Sequence, residues 1–407
     1  MSKSEIGTES ASWAGTLVDR ASTSVMTTYG RYPIEMARGR GCTLWDSSDT
    51  EYLDFIAGIA TCSLGHAHPA MVNAIKSAAD GLVHVSNLYW TEPMIRLAER
   101  LTAASGMDRA FFCNSGAEAI EAALKLARKT RPGRPRVVVF ERSFHGRTMG
   151  ALSATWQPQY QDAFKPLVPG FVAAPYGDLA AAEVLIDDTT AAVLVEIVQG
   201  EGGLRRASKE FFAGLRAACD RSGALLLFDE VQTGVGRLGT FYAFQGVGVI
   251  PDAIASAKGL GGGLPIGCML ARGEAATAFQ PGDHASTFGG GPFITTISNA
   301  VLDVILADGF LGSVRARSEE LGAGLEDLAK RHPLVLEPRG AGLLRGLALN
   351  GQRAPDLVAA LQRRGLLTAP AGKDVLRLAP PLIVTTAEIC LALGRIDEAL
   401  TELESAS

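Results

Sequence analysis

From about residue 110 the chain alternates short apolar runs with amphipathic stretches. FFC, RVVVF, AAVLVEIV and ALLLF are brief and unbroken, the profile of strands buried on both faces. Between them AEAIEAALKLARK and KEFFAGLRAACDRSG carry apolar residues at helical spacing. Helices alternating with buried strands predict an α/β domain with a mainly parallel sheet. Upstream, residues 1–30 are polar and read as an arm, GCTLWD and EYLDFIAGIA carry strand signals, and helices are predicted over 69–80 and 91–105. Beyond about residue 300 the helices NAVLDVILADGF and RARSEELGAGLEDLAKR lead into LLRGLALN, another helix and VLRLAPPLI, which predicts a smaller α+β domain.

Composition narrows the class. The 407 residues are 47% hydrophobic and 20% charged, as in a soluble globular enzyme. A net charge of −5 offers no reason to expect a nucleic-acid or polyanion partner. Six cysteines without a CxxC pair read as reduced thiols of a cytoplasmic protein, with no metal site expected. MSKSEIGTESASWAG lacks the apolar core of a signal peptide, and no stretch nears the roughly 18 apolar residues that span a membrane. The 46 glycines cluster, which points to tight turns and close backbone approach.

The strand ALLLF runs straight into Asp229 and Glu230, where burial should still be deep. A buried carboxylate needs a partner. Four other stretches offer chemistry. In CNSGAEAIEAALKLARK, Ser115 and Glu118 form an S-x-x-E capping box, with Glu121 and Lys125 a potential i,i+4 pair. This is either a well-capped helix or one whose open first turn, at Gly116 and Ala117, binds a phosphate. In FERSFHGRTMG, Phe144, His145 and Arg147 are either a core residue, a satisfied polar residue and a surface charge, or Phe144 and Arg147 form a platform for a flat anionic ligand. In VEIVQGEGG, Glu201 follows a strand exit and either marks a plain loop or projects into a site. In AIASAKGLGGGLPIG, Lys258 either snorkels to solvent or, held among small residues, becomes a nucleophilic amine. One ligand satisfies all of these groups. Pyridoxal 5'-phosphate has an aldehyde for Lys258, a protonated ring nitrogen for Asp229, a ring for Phe144 and a phosphate for the helix.

LGHAHP, VSNLYWTEP, FFCNSGAEA, FHGRTMGALSAT, QGEGG, LLLFDEVQTGVGR, AKGLGGGLPIG, STFGG and LRLAPPLI together resemble the class III aminotransferases over nearly the whole chain. The resemblance implies the fold-type-I architecture. It divides the chain into an arm and small-domain segment (1–60), a large cofactor domain (61–300) and a C-terminal small domain (301–407). It implies that Lys258 binds the cofactor and moves the proton, and that Asp229 holds the ring nitrogen. Gln232 would lie at the phenolic oxygen, Phe144 on the ring, and Ser115, Gly116 and Ala117 at the phosphate. Thr287, from STFGG, would reach the phosphate in the neighbouring subunit of a homodimer. Arg147 and Arg377 would hold the two carboxylates of glutamate or 2-oxoglutarate, and Glu201 would cover Arg377 when the donor lacks a carboxylate there. Ile59 stands where the family's ornithine users carry an aromatic, which favours N2-acetylornithine or 4-aminobutyrate. Trp156, Ile197, Ile120 and Gly291 depart from the family pattern outside the Lys, Asp and phosphate motifs.

Overall fold

The computed structural model describes residues 17–405. The first 16 residues of the expected arm lie outside that range; its remainder contains a helix, Leu17–Ser24. At the centre is a seven-stranded sheet. Its strands, in chain order, are β1 (Arg109–Cys113), β2 (Arg136–Phe140), β3 (Phe171–Ala174), β4 (Thr190–Glu196), β5 (Leu225–Asp229), β6 (Ala253–Ser256) and β7 (Gly267–Ala271). Their spatial order is β1-β7-β6-β5-β4-β2-β3. Every neighbouring pair is parallel except those made by β7, which is antiparallel to both β1 and β6.

The ALLLF run shows why the sheet is buried on both faces. Leu226 and Phe228 point into one hydrophobic cluster, Leu225 and Leu227 into the other, and all four are at most 2% exposed. Each such side chain contributes about 1.5–3 kcal/mol. Because six strands run the same way, their C-terminal ends deliver the following loops to one edge. β1 leads into residues 114–117, β2 into 141–147, β4 into 197–201, β5 into 230–233 and β6 into 257–263. Ligands of open α/β sheets bind at that edge.

Two four-stranded sheets lie outside the central one. One combines Met36–Arg40, Thr43–Asp46 and Glu51–Asp54 with Leu366–Leu367, so chain ends far apart in sequence share a sheet. The other is built from Val335–Ala341, Leu344–Leu349, Val375–Leu378 and Ala369–Pro370. It carries Arg377, opposite Gly346.

Several local expectations are modified. The strand signal of EYLDFIAGIA stops at Asp54, whose Oδ1 accepts hydrogen bonds from Ile56 and Ala57 N–H and turns the chain. The helix expected over 299–310 instead covers Pro292–Ile305, and a new helix starts at Phe310 after left-handed Gly309. Pro at the first turn and Thr295, whose hydroxyl donates to Gly291 O, extend it through β-branched sequence. Glu121 and Lys125 do not pair. Glu121 accepts from Thr148 Oγ1 (2.6 Å) and Ala151 N (3.0 Å), while Lys125 donates to Asp283 O (2.8 Å). The helix Gly116–Thr130 is thus fastened to the loop bearing Arg147 and to the segment leading into STFGG. Among the described residues no single helix is long and apolar enough to cross a membrane.

Candidate active site

A cavity of about 490 Å³ opens at the C-terminal edge of the central sheet. Its lining brings together Ser115, Gly116, Ala117, Phe144, Arg147, Glu201, Asp229, Gln232 and Lys258. Arg377 touches it through Glu201. Two expected site residues lie apart. Ile59 is 44% exposed with φ +64° and is absent from the lining; Thr61 is present instead. Thr287 is exposed and also outside it, although the adjacent Ser286 accepts a hydrogen bond from Asn114 Nδ2 (3.1 Å).

At one end of the cavity the helix Gly116–Thr130 begins. Ser115 caps it, its Oγ accepting from Glu118 N–H (3.2 Å) and donating to Glu118 Oε2 (2.9 Å). Glu118 completes the cap one residue earlier than a standard box, accepting from Asn114 N–H (2.9 Å). Among the described residues no group accepts from the N–H of Gly116 or Ala117. A Cβ on Gly116 would come within 2.7 Å of Val231 Cγ1, so the approach of these two segments requires glycine.

Asp229 ends β5, in register with Glu196 of β4. Its Oδ1 accepts from Val231 N–H (3.0 Å), and its Oδ2 lies 2.7 Å from His145 Nδ1. The intramolecular partner of the buried carboxylate is therefore His145, a pairing that the local sequence FHGR does not signal. His145 is buried, and its Nε2 has no hydrogen-bond partner among the described residues. Glu230 points away from the cavity. It accepts from Thr233 Oγ1 (2.6 Å) and Phe244 N–H (2.8 Å), and burial raises its carboxyl to about 7. Burial, then the charge of Asp229, pushes Glu196 well above the ordinary carboxylate range, and Glu196 accepts from Phe144 N–H (3.1 Å).

Lys258 follows β6 with φ +42° and is walled by Ala257, Gly263 and Pro265. Burial lowers its amine to about 8, against the opposing pull of Glu201, Asp229 and Glu196. Glu201 sits at the tip of a hairpin, Val198–Gln199 paired with Arg205–Arg206, and forms an ion pair with Arg377, whose side chain is 3% exposed. Gly200 O also accepts from Arg377 Nη1 (3.1 Å). Although burial opposes it, Arg377 holds the Glu201 carboxyl below its ordinary value. A Cβ on Gly200 would collide with Gln232 Oε1 at 1.9 Å. The Arg147 guanidinium, also in the lining, lies 3.9 Å from the centre of the Tyr160 ring and 5.4 Å from that of Phe144.

The departures from the family pattern leave this cavity intact. Trp156 lines a neighbouring cavity that shares Glu201 with it; Ile120 and Ile197 are buried, and Gly291 precedes the helix Pro292–Ile305.

The residues fit pyridoxal phosphate on three counts. Buried polar atoms without partners among the described residues, His145 Nε2 and Gln232 Oε1, lie on residues that line the cavity. A helix start with free N–H groups suits a phosphate. A buried amine with a lowered pKa faces carboxylates across the same space.

The chain matches the family model of class-III aminotransferases over residues 25–400. It is 48% identical to an acetylornithine aminotransferase of Thermosynechococcus vestitus over 93% of this chain and 95% of that protein. A protein of the same name from Gloeobacter violaceus is 49% identical over 93% and 94%. Among solved structures, an ornithine aminotransferase from Toxoplasma gondii superposes with a TM-score of 0.92 at 29% identity, covering 96% of this chain and 95% of that one. An N-acetylornithine aminotransferase from Stenotrophomonas maltophilia gives 0.83 at 34%, covering 96% and 100%. With this cavity, this sheet order and these relatives, the chain belongs to the class-III aminotransferases, fold-type-I transaminases that depend on pyridoxal phosphate.

Proposed function

We propose that the chain transfers the terminal amino group of N2-acetylornithine to 2-oxoglutarate, giving N-acetylglutamate 5-semialdehyde and glutamate. The observation that carries this reading is the Glu201–Arg377 pair in the cavity that Lys258 lines. An enzyme of two half-reactions must accept a dicarboxylate in one and a terminal amine in the other. Arg147 and Arg377 supply the two cations for the dicarboxylate, as the planar guanidinium suits a bidentate carboxylate. When the terminal amine enters, Glu201 neutralises Arg377, which would otherwise be an unpaired buried cation. Relatives named acetylornithine aminotransferase at 46–49% identity support the choice of donor.

Bound pyridoxal phosphate supplies an electron sink for the carbon that loses its proton. The protein supplies the rest. Lys258 would hold the cofactor and, once its amine is free, would serve as the base that takes the proton from the substrate carbon, since its lowered pKa leaves the amine available near neutrality. Asp229 would hold the protonated ring nitrogen, and His145 holds the Asp229 carboxylate in place. Gln232 is assigned to the phenolic oxygen, Phe144 to the ring face, and Ser115 with the N–H groups of Gly116 and Ala117 to the phosphate.

The working unit in this reading is a cytoplasmic homodimer with Thr287 reaching the partner's site. Exposed apolar residues near that segment support it: Leu88 and Trp90 are each 84% exposed and Phe288 62%. Ile59, exposed outside the cavity, is assigned to donor choice on family grounds, and the three-part division at residues 60 and 300 belongs to the same reading.

Initial rates with both substrates varied test the assignment. N2-acetylornithine should give parallel reciprocal plots and a higher kcat/KM than 4-aminobutyrate, succinylornithine or free ornithine. A higher kcat/KM for any of those three would move the donor while leaving the transaminase in place.

A further inference from the structure

The hairpin that carries Glu201 has a basic root. Its return arm is Arg205–Arg206, with Arg205 opposite Gln199 and Arg206 opposite Val198. Both arginines line a cavity of about 320 Å³, separate from the active site, together with Tyr176, Glu337 and Arg339. Three guanidinium groups thus border one space with one carboxylate, and that carboxylate is already engaged: Glu337 Oε1 accepts from Arg339 Nε at 2.7 Å. Among the described residues no carboxylate lies within ion-pair distance of Arg205 or Arg206. Arg205 Nε is buried and has no acceptor among the described residues. Burial, then the nearby Arg142 and Arg339, hold the Arg205 guanidinium below its ordinary pKa, against weaker attraction from Asp374 and Glu337. On an ordinary solvated face, long basic side chains diverge and hydrate. Here strand pairing fixes the hairpin root beside the strand Val335–Ala341, so the guanidinium groups stay together, and one buried donor among them, Arg205 Nε, is left unmet.

We propose that this cavity binds a small multivalent oxyanion, of the phosphate or polycarboxylate type, between Arg205 and Arg206 on the hairpin and Arg339 on the strand Val335–Ala341. Fork-shaped guanidinium groups bind such anions bidentately. The walls of the site touch both arms of the hairpin. Arg339 Nη1 donates to Gly203 O (3.4 Å) on the return side, and Tyr176 Oη donates to Glu196 O (3.0 Å) and Ile197 O (2.9 Å) on the outgoing side. An anion bridging Arg206 and Arg339 ties the hairpin to the strand beside it. Under the proposed function, Glu201 must leave Arg377 before a dicarboxylate can enter. A tethered hairpin holds Glu201 in place, so the bound anion acts against 2-oxoglutarate and glutamate and spares the terminal amine.

The test is calorimetric titration of the holoenzyme with inorganic phosphate and, separately, with citrate, at an ionic strength fixed by chloride. One saturable event per chain is expected with at least one of the two. Response to phosphate alone identifies a compact oxyanion as the ligand class, and response to citrate alone a polycarboxylate. Arg206→Glu, an exposed charge reversal that leaves the core untouched, should weaken binding at least tenfold, as should Arg205→Gln combined with Arg206→Gln. Arg377→Gln, in the active site, should leave it unchanged. No binding by either anion, binding indifferent to Arg206, or binding lost with Arg377 would overturn the site. A KM for 2-oxoglutarate that rises with the anion in wild type but not in Arg206→Glu would support the link to the hairpin. Binding with an unchanged KM would overturn that link alone. The titration involves no amino donor, so its outcome is independent of the donor assignment.

Discussion

Replacing Glu201 with alanine isolates the gate. Arg377 is almost fully buried, and in the variant its remaining described partner would be the carbonyl of Gly200. Breaking a buried ion pair by removing one member costs about 3–5 kcal/mol. The Glu201 side chain retains 23% exposure, so water screens part of the loss. A penalty of about 2–3 kcal/mol in the terminal-amine half-reaction follows, roughly 30- to 150-fold in rate. The glutamate half-reaction should change by less than about threefold, because a substrate carboxylate occupies Arg377 itself. Single-turnover stopped-flow measurements with N2-acetylornithine alone, and with glutamate alone, separate the two. Equal losses in both half-reactions would falsify the gate. A glutamate reaction slowed more than the amine reaction would show that Glu201 serves the dicarboxylate directly.

Three further outcomes follow from the site. Burial sets the Lys258 amine near 8, below the 10.5 of an exposed lysine, so the unfolded chain binds more protons between those values. This group's contribution to the stability of the cofactor-free protein should therefore rise from about pH 8 to 10.5. The wild-type-minus-Lys258→Met difference in urea unfolding should track that rise, and a flat difference would count against a buried amine. Glu230, raised to about 7 by burial, has the opposite slope: its contribution falls as pH rises from the ordinary carboxylate value through 7. Glu230→Gln should remove that slope, and the variant should equal or exceed wild-type stability at pH 8; marked destabilisation there would show that the ionised form is needed. Asp229→Asn should reduce kcat at least ~100-fold with the fold retained by circular dichroism, since a neutral amide cannot hold a protonated ring nitrogen; a mild loss would detach Asp229 from that role.

Much of the scaffold was legible because its signals are local. ALLLF is apolar at every position, so a strand buried on both faces was the simplest reading, and the S-x-x-E of the helix at Gly116 marks its own start. β7, Gly267–Ala271, carries a weaker signal: it follows a glycine cluster, and only its place between β1 and β6 makes it a strand. The expected Glu121–Lys125 pair failed because both side chains found partners far away in sequence, at Thr148 and Asp283. His145 was missed for the same reason. Nothing near FHGR shows that its ring meets a carboxylate 84 residues later. The basic root of the hairpin is equally non-local, since Arg205 and Arg206 gain significance only when Arg339 is brought against them.

The visible spectrum of the purified holoenzyme, with one amine at a time and no keto acid, tests the central assignment most directly. N2-acetylornithine alone should discharge the visible absorbance to completion, and 2-oxoglutarate should then restore it. Loss of the band with glutamate, but none with N2-acetylornithine at any concentration, would contradict the assigned donor.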